Sequence, residues 1–302
     1  MLTGTGRIVL DRHDLAVLDS PGGWTVTQAD SHSIRGTGWI STPLVNHGTI
    51  RADRDSGALE IAGTSQHTGA CEAAGGGVLR FTTHPANLAG GVLTGGTWRA
   101  YAKSAIRFVG GPVTTNAATL VLDGERSRLE SDDAGSSALV GLAHNAPAGT
   151  FALRNGRRFL ATVPFTNEGT LIVGDRCAFV LESPGLADAG ATDFEQAAGG
   201  TLVVEIAGSG PDRGGRVEVR GHARRLRAVA RRLLRGHDVR RAGRRLHELA
   251  GPAGRPGSLA LARLGGAPAR ARRPHAGGRG RAAAAARVPG VRRGGAGDGP
   301  GA

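Results

Sequence analysis

Several residue types are nearly missing from this 302-residue chain: it has two cysteines, one methionine, one tyrosine and, in Lys103, one lysine. Aromatic residues of all kinds make up 4%. Cys71 and Cys177 are too few for a disulfide framework or a cysteine metal site. No apolar run approaches the ~18 residues that a membrane-spanning helix needs. Met1-Leu2-Thr3-Gly4-Thr5-Gly6 lacks the basic region and apolar stretch of a signal peptide. A first strand, Arg7-Ile8-Val9-Leu10, starts at once, so the chain is expected to begin inside a longer repeat array. There is no His-Glu-x-x-His, no Walker loop and no tandem Gly-Gly-x-Gly-x-Asp array. Gly4-x-Gly6 and Gly208-x-Gly210 do not stand before helical patterns and are not dinucleotide fingerprints. We therefore expect no cofactor, no metal and no catalytic residue.

What is present divides in two. The formal net charge of +13 suggests a nucleic-acid binder until the charges are located. Residues 211–302 hold 23 Arg against 5 Asp or Glu, whereas residues 1–210 hold 15 basic and 20 acidic side chains. The first region is mildly acidic and rich in Gly, Thr, Val and Leu. The second is a polymer of Arg, Ala, Gly and Pro.

In the first region apolar runs are three to five residues long, bounded by Gly, Asn, Asp or Pro, with no helical period. Val45-Asn46-His47-Gly48-Thr49-Ile50-Arg51-Ala52 continues into Gly57-Ala58-Leu59-Glu60-Ile61. His67-Thr68-Gly69-Ala70-Cys71 leading to Gly77-Val78-Leu79-Arg80-Phe81, and Ala89-Gly90-Gly91-Val92-Leu93 leading to Gly96-Thr97-Trp98, restate it. The period of about 21 residues lies in the range of stacked-repeat folds. Farther on, Leu120, Val140, Leu160 and Val180 are evenly spaced, and Asn116 and Asn167 reopen the pattern. We expect an all-β fold, a single-stranded parallel right-handed β-helix with coils of about 20 residues, over residues 1–221. Ile50, Leu59, Cys71, Leu79, Val92 and Trp98, with Ile61 and Phe81, are its expected core ladders. Asn46, Gly48, Gly69, Gly90, Asn116, Asn167 and Gly169 are its expected corners, asparagine being tolerant of the left-handed conformation. Cys71 takes the repeat position of Ile50 and reads as a buried apolar thiol. The structural rival is an antiparallel sandwich, for which Asp123-Gly124 and Asn155-Gly156 would be hairpin turns.

The strings Asn-x-Gly-Thr-Ile-x-Ala, Gly-x-Leu-x-Ile and Leu93-Thr94-Gly95-Gly96-Thr97-Trp98 resemble the β-helical stalks of autotransporter passengers and filamentous-haemagglutinin-type adhesins. The run from Gly199 to Ile206, followed by Gly215-Arg216-Val217-Glu218-Val219, is similar to their closing rungs. The resemblance implies a non-catalytic, structural or adhesive segment of an exported bacterial surface or secreted protein. It implies surface glycans or host and cell-surface components as partners, and an extracellular or cell-surface location.

Two other classes stay open. A carbohydrate-active β-helix enzyme needs carboxylates paired across adjacent rungs. Arg51, Asp53, Arg54 and Asp55 form one charged turn, and Glu130, Asp132 and Asp133 another, yet one period after Asp53 stands Ala74. His47 and His67 fall at nearly equivalent positions, but two histidines without a third ligand make a weak metal site. An Arg-rich nucleic-acid binder would rest on residues 222–302. Residues 222–249 carry Leu226, Val229 and Leu233 at helical spacing among arginines, and 250–302 have the composition of disorder. Such a segment would hold phosphate without base selectivity. The tail has no aromatic residue, Ile, Asn or Lys, which is how a GC-rich gene reads out of frame. A frameshift is the principal account, and re-reading the gene in its other frames tests it.

Overall fold

The computed structural model describes residues 1–131, 135–182, 194–205, 214–220 and 227–228. Two compact units, Met1–Leu264 and Gly265–Ala302, divide the chain, and the second contains no described residue. The described residues are all-β, without a helix. Short strands, mostly two to five residues long, pair in parallel with the strand one coil later, which makes a β-helix-like solenoid. Parallel pairing replaces the expected alternative, the antiparallel sandwich. Asp123-Gly124 and Asn155-Gly156 are bends between consecutive strands of a coil, with positive φ at Asn155, Gly156 and Gly124.

Each coil visits three faces, and alternation within each strand sends every second side chain inward. On the first face Val26–Gln28 pairs with Leu44–Asn46, which pairs with Ser65–His67. On the second face Thr49–Ala52 lies between Ser33–Ile40 and Ala70–Ala73. Its inward column runs Ile8, Ile34, Ile50, Cys71, Trp98, Leu120, Phe151 and Leu171, and the register continues to Leu202, which is exposed. On the third face Ala58–Ile61, Val78–Phe81 and Ala105–Arg107 stack Leu59, Leu79 and Ile106. Ile50, Leu59, Cys71, Leu79 and Trp98 are fully buried, as are Ile61 and Phe81. Burial of each large member contributes about 1.5–3 kcal/mol, available only because the next coil covers it.

Two excursions break the period. The first is the hairpin of Leu88–Ala89 with Val92–Tyr101, the antiparallel pair Leu88↔Leu93 and Ala89↔Val92. It places Gly90 and Gly91 in a tight turn at positive φ, and a register shift follows between Thr94 and Thr97. Val92 is therefore half-buried and Leu93 is the inward residue. The column expected as Ile50, Cys71, Val92 is Ile50, Cys71, Trp98, and the corner after Gly48 and Gly69 is Gly96, not Gly90.

The second excursion follows Arg128–Glu130. Residues 136–138 fold back along that strand, with Ser131 donating to the Ser136 carbonyl (3.0 Å) and Ala138 to that of Leu129 (2.9 Å). The free edge of Arg128–Glu130 is thereby occupied, and Arg158–Ala161 starts a new sheet with Ala178–Glu182 and Arg216–Arg220. Val140 is exposed in this excursion, outside the column of Leu120, whereas Leu160 and Val180 are in register.

The fainter strand expected near Val217 is Arg216–Arg220. Of the tail expected as helix over 222–249 and disorder beyond, only Arg227–Ala228 is described, as a strand pairing with Glu195–Gln196. The rest lies outside the described residues.

Candidate functional site

The polar side chains expected at corners lie inside the coil. Asn46, Asn116 and Asn167 are strand residues, fully buried and without positive φ. They belong to two inward runs on the first face, Gln28, Asn46, His67 and then Asn116, Asn145, Asn167, Gln196, with Leu93 of the hairpin paired to Asn116 between them. Asn116 Nδ2 donates to Asn145 Oδ1 (2.8 Å), Asn145 Nδ2 to Asn167 Oδ1 (2.8 Å), and Asn167 Nδ2 to Gln196 Oε1 (2.9 Å). The same amides also reach carbonyls where the chain turns to the second face, at Thr150 (3.2 Å), Gly149 (3.3 Å) and Thr201 (3.0 Å). Each amide thus satisfies a bend that burial would otherwise leave unpaired.

The corner glycines act by closeness. A Cβ on Gly69 would lie 2.1 Å from the Gly48 carbonyl oxygen, and one on Gly169 would lie 2.2 Å from that of Gly149. On Gly48 it would meet the His32 oxygen at 2.3 Å. A left-handed backbone is not what these positions require.

His67 ends the first of these runs. It is fully buried, its ring 5.4 Å from Phe81 and 5.5 Å from Trp98, and neither ring nitrogen has a hydrogen-bond partner. Burial lowers its pKa to about 4, so it is neutral at physiological pH. Asn46 Oδ1 below it is likewise without a donor, while Asn87 brackets the His67 backbone through its N–H and carbonyl, both at 2.8 Å. His47 points the other way, exposed, with Nδ1 2.6 Å from Thr68 Oγ1. His67 faces inward at the end of Ser65–His67, paired with Asn46, whereas His47 is the exposed residue just past Leu44–Asn46, so the two do not stack.

Outside, carboxylates are clasped by arginines of neighbouring coils. Asp53 pairs with Arg35, Arg51 with Glu72 (3.2 Å), and Arg99 with Asp123. Burial, the largest single influence, works against the Arg99 charge, but the bond to Asp123 together with the neighbouring Tyr101, Asp123 and Glu72 charges outweighs it and raises the pKa. Tyr101 lies between two guanidinium groups, 5.0 Å from Arg51 and 4.4 Å from Arg99. Glu130, on the third face, is buried and held by Arg107 (2.8 Å) and Arg128 (2.7 Å). Its expected companions Asp132 and Asp133 lie outside the described residues. Arg54 and Asp55 are exposed at their turn.

Reading the sequence missed the group around Glu60. His13 sets one ring nitrogen 2.9 Å from Asp14 and the other 3.3 Å from Glu60, while Arg80 reaches Glu60 at 3.5 Å. The hydrogen bond to Asp14 raises the His13 pKa. Only a distant register joins residue 13 to residue 60, so no local motif announces it. With both nitrogens engaged by carboxylates, the ring serves as a clamp. Among the described residues no group of three or more His, Cys, Asp or Glu is placed to hold a metal ion, and no helix is long and apolar enough to cross a membrane.

Comparison with family models, with curated proteins and with solved structures finds no match. The bearing on function is that of the geometry alone.

Proposed function

We propose that residues 1–221 form a right-handed, single-stranded parallel β-helix that acts as a non-catalytic stalk segment of an exported bacterial surface or secreted protein, projecting or adhering by shape. The observation that carries this reading is the unbroken rung-on-rung register of the second face, from Ile8 to Leu202. Such a register spends the inward side chains on the stack itself. The acidic groups on the outside are tied to arginines of the adjacent coil, an arrangement suited to fastening rungs. Adhesion to glycans is supported by a row on the second face, Thr97, Thr119, Thr150, Thr170 and Thr201, which Ala70 separates from Thr49. From Thr97 to Thr201 these part-exposed or exposed hydroxyls repeat at about the 4.8 Å strand spacing.

The full chain, tested on a glycan array and against a panel of polysaccharides with and without calcium, is expected to retain glycans and release no fragments. Depolymerisation of any polysaccharide, abolished by unfolding the protein, would replace the stalk with the enzyme reading.

A further inference from the structure

The seam on the third face opens a cleft that the ion-pair rows do not absorb. The fold-back of residues 136–138 occupies the edge of Arg128–Glu130, and Arg158–Ala161 cannot add to it. Between them lies a cavity of about 280 Å³. Its floor is apolar, with the buried side chains of Leu129, Leu139 and Phe159. Three arginines line it, Arg128, Arg157 and Arg158. Only Arg128 has a carboxylate partner, Glu130, which Arg107 shares.

Arg157 is half-buried, and its Nε is buried with no acceptor. Among the described residues its guanidinium makes one hydrogen bond, from Nη1 to the Arg158 backbone carbonyl. No ion pair to Arg157 or Arg158 exists among the described residues. Burial pushes the Arg157 pKa down, and the positive charge of Arg128 adds to the effect. A half-buried guanidinium beside another cation, where the only lining carboxylate, Glu130, is already held by Arg107 and Arg128, is unfavourable as it stands. An oxyanion would satisfy Nε and relieve the repulsion in one step, through a charge-assisted planar fork.

We infer that this seam is a binding site for a small organic oxyanion, a carboxylate or sulfate ester carried on a ring of monosaccharide size. The volume is at the small end of ligand pockets. The floor offers apolar contact to a ring, and the rim offers the charge. The site is independent of the stalk reading, because it needs only the break in the third face.

The test is calorimetric titration of the full chain with glucuronate, glucose 6-sulfate, inorganic sulfate and glucose. Wild type is compared with Arg157→Gln, Arg158→Gln and the double variant, with Arg80→Gln as the control on the same face. Arginines of the tail are common to every variant, so differences report the cleft. Saturable, roughly millimolar binding of both sugar acids is expected, lost at least about tenfold in Arg157→Gln and untouched in Arg80→Gln. Arg157→Gln is also expected to unfold no earlier than wild type, since it removes an unpaired charge. Should it fail to fold, the exposed Arg158→Gln carries the test with the same expected direction. Equal affinity in wild type and in Arg158→Gln or the double variant, equal binding of glucose, sulfate binding as tight as the sugar acids, or no saturable binding would each overturn the site. Polysaccharide turnover would overturn the stalk and leave the cleft standing.

Discussion

Acid should loosen this solenoid at one identifiable side chain. His67 is buried among Phe81 and Trp98 with a pKa of about 4, against 6.5 when exposed. Between those values the unfolded chain binds a proton that the native state refuses, so stability rises with pH there. The contribution is complete above about pH 6.5 and is lost as pH falls toward 4. The difference corresponds to about 3 kcal/mol in full, with roughly 1 kcal/mol gone at about pH 5.5 and about 2–3 kcal/mol at about pH 4.5. Carboxylates titrate in the same range, so the effect is isolated by subtraction with His67→Asn. That substitution places an amide in the column, where it would accept from Asn46 as Asn145 accepts from Asn116. The gained bond, about 1 kcal/mol, offsets much of the small cavity left beside the aromatic rings. Near neutral pH the two proteins should differ by under about 1 kcal/mol, and near pH 4.5 the variant should be more stable by about 2–3 kcal/mol. Urea unfolding followed by tryptophan fluorescence at both pH values measures this, and the imidazole shifts in NMR report the pKa directly. Identical acid dependence in the two proteins, or a folded-state pKa near 6.5, would refute the reasoning.

Three further outcomes follow from the column, the corners and the hairpin. Asn145→Ala removes one acceptor and two donated bonds at the middle of the amide column and should cost about 2–4 kcal/mol, whereas Asn46→Ala, whose Oδ1 already lacks a donor, should cost about half as much; urea midpoints compare them. Gly69→Ala drives a methyl into the Gly48 carbonyl and should cost more than about 3 kcal/mol, while Gly90→Ala, with open space but positive φ, should cost about 1 kcal/mol by thermal unfolding. Leu93→Ala should cost about 2–5 kcal/mol and Val92→Ala less than about 1.5 kcal/mol, the reverse of what the period alone suggests.

The alternating strands and their return after about 21 residues were legible in the chain as written. Ile50, Leu59, Cys71 and Leu79 could be placed inward because a period of two leaves an apolar residue little choice of side. The same rule failed at Val92, where a hairpin shifts the register, and a one-residue slip sends every side chain to the other face. Gly90 carried the look of Gly48 and Gly69, yet the carbonyl that forbids a Cβ comes from another coil and is met at Gly96. Asn116 and Asn167 read as corners because asparagine favours bends; their burial depends on amides stacked above and below, which no local window contains. The cleft at Arg157 was least legible of all. It exists because residues 136–138 occupy an edge that Arg158–Ala161 would otherwise fill. Alternation is a property of neighbours along the chain, whereas hydrogen-bond partners and open edges belong to strands brought together only by the winding of the coil.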